Sequence, residues 1–172
     1  MKGLPRSLSR GEKTRRAVVK DSIILDGMTV TVTAVSTAIG FGSVVAGALP
    51  EGNILLLGAV ANIGLAGSGS DANLAATWNG DYGVGTTPAS DATITGADVD
   101  IIGSTAVGPA TAEVIAATRA TNATQAIIDN TAGTAEVNIN VLIDAADITD
   151  NQSVVLTLSG RLDIAYIILG DD

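Results

Sequence analysis

Asp144, Asp147 and Asp150, followed by Asn151, form the densest group of potential ligands in the sequence. A calcium loop needs oxygen ligands at alternate positions and a closing Glu. A spacing of three supplies neither, so the group reads as a solvated acidic loop and no metal is expected. Gly67-Ser-Gly69-Ser-Asp71-Ala72 has the outline of a dinucleotide fingerprint, but no βαβ unit surrounds it and it reads as a flexible turn. No Walker-type phosphate loop is present. The chain has no Cys and no His, which excludes disulfides, Cys/His zinc sites and Ser-His or Cys-His nucleophile systems. Paired carboxylates for glycoside hydrolysis meet only in three dimensions, so spacing does not exclude them. Most acids here, however, are Asp in turns or on wet strand faces, with few aromatics to stack on a sugar. Trp78 and Tyr82, in one loop-rich stretch, would either form a small carbohydrate patch or plug the end of the fold or an intersubunit seam; the plug is favoured. No catalytic residue and no cofactor is assigned, and the chain reads as non-enzymatic.

What remains is charge, and it is segregated. Lys2, Arg6, Arg10, Lys13, Arg15, Arg16 and Lys20 lie in the first twenty residues against one acid, Glu12, a net +6. The other 152 residues hold only Arg119 and Arg161 against 17 acids, a net −15. Residues 1–20 also carry Gly3, Pro5, Gly11 and scattered Ser without apolar periodicity, the composition of an extended arm that orders on binding. Such an asymmetry points to a tail that seeks an anionic surface, including the acidic body of another copy. Seven cations would also bind phosphate. Without an aromatic to stack on bases, and with a repulsive body behind it, the arm is a poor nucleic-acid ligand. No apolar segment follows the cations as in a secretory signal, and the longest apolar run, 54–66, is too short to span a bilayer. A soluble protein with no membrane partner is expected.

From residue 21 to 172 the texture is all-β: short Val/Ile/Thr runs separated by Gly, Asn, Asp and Pro. Val30, Val32 and Ala34 alternate with Thr29, Thr31 and Thr33. Val137, Ile139, Val141 and Ile143 alternate with Asn138, Asn140 and Leu142. Val154, Leu156, Leu158, Leu162, Ile164 and Tyr166 share one face, opposite Thr157, Ser159, Arg161 and Asp163. A period of two held this long fits a half-buried antiparallel strand, with Gly160 marking a bend or bulge. Residues 92–102 are also expected to form a strand, with Asp98 and Asp100 facing solvent. Residues 111–120 are Ala-rich and could start a short helix at Thr111, although Thr- and Asn-rich neighbours disfavour it. Ile54, Leu55, Leu56 and Leu57 are consecutive, so both faces of their strand want burial. Either the strand is central in the monomer, or one face forms an oligomer interface. About eight strands fit the length, in an antiparallel β-sandwich of jelly-roll type.

Several phrases carry a resemblance. Thr118-Arg-Ala-Thr-Asn-Ala-Thr-Gln-Ala-Ile-Ile-Asp129, then Val141-Leu-Ile-Asp-Ala-Ala-Asp147, then Leu156-Thr-Leu-Ser-Gly160 and Tyr166-Ile-Ile-Leu-Gly-Asp171 resemble small virion proteins of tailed bacteriophages. The likeness covers roughly residues 75–172 and is closest to the head decoration, or capsid cement, type. It implies a compact β-sandwich homotrimer on the outer capsid surface, with the major capsid protein as partner and no catalytic residues. A fibre or tail subunit, or a carbohydrate-binding module for the host surface, are the alternatives. In this setting the arm is the capsid-binding element. Ordering it opposes binding by about 1–2 kcal/mol per residue, whereas a surface ion pair returns about 1 kcal/mol at best. Charge alone is therefore insufficient. The arm must also gain backbone hydrogen bonds, by adding a strand to a sheet edge, and bury Leu4, Leu8, Ala17, Val18 and Val19.

Overall fold

The structure, a computed structural model, describes residues 18–35, 39–122 and 126–170. Ten strands are present: β1 (Val19–Ile24), β2 (Thr29–Ala34), β3 (Gly40–Ala48), β4 (Gly52–Ala66), β5 (Gly80–Gly85), β6 (Ile102–Val107), β7 (Val114–Asn122), β8 (Ala126–Asn130), β9 (Glu136–Ile143) and β10 (Ser153–Gly170). All pairings are antiparallel, in one hydrogen-bonded sheet of order β6-β5-β9-β3-β2-β10-β4-β7, with β1 beside β10 and β8 beside β4. Two pairs of strands share a rib. β2 and β1 run in turn along one edge of β10, at Ser153–Thr157 and Arg161–Tyr166. β7 and β8 do the same along β4. Ten strands thus occupy eight ribs. The ladder between β2 and β3 is only two residue pairs long, Thr33↔Phe41 and Ala34↔Gly40.

The long alternating runs behave as their period demands. Val30, Val32 and Ala34 of β2, and Val154 through Tyr166 at even positions of β10, are buried in a single apolar cluster. Gly160 sits where β10 hands its edge from β2 to β1, with a φ of 103°. There the β1–β2 corner is bonded to it: Leu25 N–H donates to the Gly160 carbonyl at 3.0 Å, and Gly160 N–H donates to the Asp26 carboxylate at 2.7 Å. A side chain at 160 would meet the Asn62 carbonyl at 2.0 Å; the bend expected there is a position only glycine fits.

The sheet curls around its core. Tyr82 on β5 donates its hydroxyl to the Thr118 carbonyl on β7 at 2.9 Å, and the Asn122 amide donates to the Ile101 carbonyl at 2.8 Å. Those contacts join ribs from opposite ends of the strand order. Trp78 is fully buried beneath them and donates its indole N–H to the Glu113 carbonyl at 3.1 Å. Tyr82 is fully buried as well. Neither ring is on a surface patch, which corrects the carbohydrate alternative for these two residues: both are core. Burial pushes the Tyr82 hydroxyl pKa up to about 12.

Two local expectations are also corrected. Residues 92–101 are not a strand. They form a loop with a 3-10 turn at Gly96–Asp98, and β6 begins only at Ile102. Gly96, at φ 61°, breaks the extended path. Asp100 does not face solvent alone: it accepts from Thr86 N–H at 2.9 Å and from the Thr86 hydroxyl at 2.7 Å, and partial burial raises its pKa against those bonds. The Ala-rich stretch at 111–120 contributes β7, not a helix; its register with β4 holds it extended. Asn140 explains the loop. It lies fully buried on the outer side of β9, where its amide donates to the Thr87 and Asp98 carbonyls at 3.0 and 2.7 Å and its carbonyl accepts from Ala89 N–H at 2.8 Å. The 86–99 loop therefore covers a face that alternation assigns to water.

The turn at 67–71 is organised rather than loose. Glu113, 4% exposed, accepts from Gly69 N–H at 2.8 Å and Asp71 N–H at 2.9 Å. Asp147 accepts from Asn79 N–H at 2.8 Å, so this member of the acidic trio pins a loop. No group of three or more His, Cys, Asp or Glu is placed to hold a metal among the described residues. No helix among them is long and apolar enough to cross a membrane.

Candidate interaction face

Strand register builds one outer face from β1, β10, β4 and β7. Its cross-strand rows read directly off the pairing. Lys20, Ala165 and Gly58 form one row. Ser22, Asp163, Val60 and Thr121 form the next, and Ile24, Arg161, Asn62 and Arg119 the third. With strands about 4.8 Å apart, Arg161 and Arg119 stand roughly 10 Å apart across Asn62. Lys20, Arg119 and Arg161 are the three cations among the described residues, and all three are exposed on this face.

Beyond the Lys20 row the face becomes apolar. A bulge places Leu57 and Gly58 outward in succession, since Tyr166 pairs with Leu56 and Ala165 with Gly58. Ile167, Leu55 and Ile127 then make another row. Ile127 is 67% exposed, and Ile24, in the arginine row, is 61% exposed. Small side chains at Gly58 and Ala165, between Lys20 on one strand and Leu57 and Val60 on another, leave a groove of about 670 Å³. A second depression of about 420 Å³ adjoins it, between Arg119 and Arg161. Asp163 is the acid at the centre, and it is locally satisfied: the Arg161 Nε contacts it at 2.8 Å and the Ser22 hydroxyl donates to it at 2.5 Å. At the inner edge the Tyr166 hydroxyl donates to Asp21 at 2.6 Å, clamping β1 to β10. Burial, and then the Asp21 bond and charge, push the Tyr166 pKa well above its ordinary value.

The residues singled out from the sequence fall on this face in part. Lys20 lies on it, inside β1, which begins at Val19 rather than after residue 20. Lys2, Arg6, Arg10, Lys13, Arg15 and Arg16 lie outside the described residues. The run Ile54–Leu57 is divided: Ile54 and Leu56 are spent in the monomer core, at 0% and 1% exposure, whereas Leu55 and Leu57 are half-buried on the outer side. Sequence reasoning passed over Ile24, Ile127, Ile167 and the juxtaposition of Arg119 with Arg161. Residues 119 and 161 are far apart in the chain, and only the shared neighbour Asn62 brings them together. No protein-family model matches the sequence, and no curated protein matches it.

Proposed function

We propose that the chain is a non-enzymatic structural protein of a tailed-phage particle. It is a head decoration protein that sits on the outer capsid surface as a homotrimer and stabilises the shell by bridging subunits of the major capsid protein. The observation that carries this reading is the charge layout. The six cations of residues 1–17 join the body at β1, on the face that also carries Lys20, Arg119 and Arg161. A strongly cationic segment on an otherwise acidic body suits an extended contact with an acidic protein shell, and leaves the body's own cationic face for contact between copies. The two four-ribbed halves, joined by the short β2–β3 ladder, act as the leaves of a jelly-roll-like sandwich. The absence of Cys and His, the burial of Trp78 and Tyr82, and the use of Glu113, Asp147 and Asp163 as local acceptors support a mechanical rather than a chemical role.

The test is deletion of residues 1–17, which stops short of β1. The body should keep its circular dichroism and its unfolding midpoint while losing binding to undecorated phage heads. Three anchors per trimer multiply a weak arm, so the loss should be near complete. Full occupancy of heads by the truncated protein refutes the anchoring role.

A further inference from the structure

We propose that the outer face of β1, β10, β4 and β7 is a head-to-tail self-association surface, which takes an acidic flank of a second copy of this chain. The inference deepens the assembly reading above and rests on it only for the setting. Its own ground is the distribution of charge over the fold. Every cation among the described residues, Lys20, Arg119 and Arg161, is on this face, with Asp163 as the acid between them. The other described acids include Asp81, Asp91, Asp98, Asp144 and Asp150, all outside the strands that build it. Among the described residues the rest of the surface is thus acidic and without cations, and a second copy is a partner of the required chemistry.

Charge also decides the symmetry of the contact. A twofold interface places the same patch against itself, so a patch of three cations and one acid would meet an equally cationic one. Like charges so juxtaposed disfavour it. A heterologous contact, cationic face to acidic flank, escapes that repulsion, and such contacts close into rings when the rotation permits. A threefold ring is the smallest of these. Charge steers and orients; the hydrophobic contribution comes from exposed Ile24 within the arginine row and from Leu57 and Val60 along the groove.

The experiment is sedimentation of the full chain at low and high salt, beside Arg119→Glu/Arg161→Glu and the conservative Arg119→Lys/Arg161→Lys. Wild type should sediment as an oligomer at low salt and shift toward monomer near 1 M, where the screening length falls to about 3 Å. The Glu variant should be monomeric at low salt with unchanged circular dichroism; the Lys variant should still assemble. A wild type that is monomeric at low salt, or a Glu variant that assembles as wild type does, overturns the proposal. A dimer whose mass does not grow with rising protein concentration overturns it too, since a head-to-tail contact does not close with two copies. Binding to phage heads is measured separately with the 1–17 deletion, so failure of the capsid reading leaves this result interpretable.

Discussion

One substitution, made at two positions on the same strand face, should have two different outcomes. Asn140 and Asn138 are both buried on the outer side of β9, at 0% and 1% exposure. The Asn140 side chain is saturated, donating to Thr87 and Asp98 and accepting from Ala89 and Ser43. The Asn138 amide nitrogen has no partner among the described residues. Leucine keeps asparagine's branched four-heavy-atom skeleton but is larger, so both variants share an overpacking cost and differ chiefly in the hydrogen bonds lost. At 140 it removes four hydrogen bonds worth about 0.5–1.5 kcal/mol each and strands the 86–99 loop's carbonyls and amide over an apolar side chain. Partial lifting of the loop lets water recover some of this, and a loss of about 3–4 kcal/mol is expected. That is a large part of the ~5–15 kcal/mol that keeps a domain folded. At 138 the change removes an unsatisfied donor, which offsets part of the overpacking, and the loss should be about 2 kcal/mol smaller than at 140. Urea unfolding at constant m-value reads both, and hydrogen exchange of residues 86–99 shows whether the loop is the part released. Equal losses at the two positions, or an Asn140→Leu variant within about 1 kcal/mol of wild type, would refute the argument that Asn140 holds the loop.

Four further outcomes follow from the same geometry. Glu113→Gln turns an amide N–H toward one of the two backbone donors that the carboxylate now accepts from, Gly69 and Asp71. It should cost about 1–3 kcal/mol and speed protease cleavage within 67–73. Gly160→Ala combines a φ of 103° with a Cβ placed 2.0 Å from the Asn62 carbonyl, and a loss of roughly 3 kcal/mol or more is expected. Gly96→Ala, at positive φ but in open space, should lose only about 1–2 kcal/mol in the same denaturation series. Alkaline titration tests the buried tyrosines. Both native hydroxyls titrate above their ordinary pKa of 10.0, Tyr82 at about 12. The folded state therefore holds them neutral. Their contribution to stability is complete below the unfolded value and is lost as pH rises from there through the folded values. Native tyrosinate absorbance should stay absent near pH 10.0 and appear together with unfolding at higher pH; a normal titration of either residue in folded protein would contradict the burial described.

The sequence by itself determined which residues face the core along β2 and β10, because a strand's side chains alternate and one face of each is wet. It also determined the all-β class, the glycine at the bend and the separation of charge along the chain. The tertiary structure decided what alternation cannot carry. At β9 the expected wet face is dry, since a loop more than forty residues upstream bonds to Asn140 and covers it. At 54–57 the apolar run does not say which side is core; pairing with β10 and β8 buries Ile54 and Leu56 and leaves Leu55 and Leu57 on the outer side. At the aromatic pair, the curl of the sheet brings β7 over Tyr82 and Glu113 over Trp78. The charge that dominates the sequence was sharpened most. Arg119 and Arg161 are isolated in an acidic chain, and nothing local relates them. Long-range pairing through Asn62 sets them side by side with Lys20 on one face. The physical reason is general to sheets: the face a residue occupies is written in local periodicity, whereas its neighbour across the strand depends on register, and register depends on the whole fold.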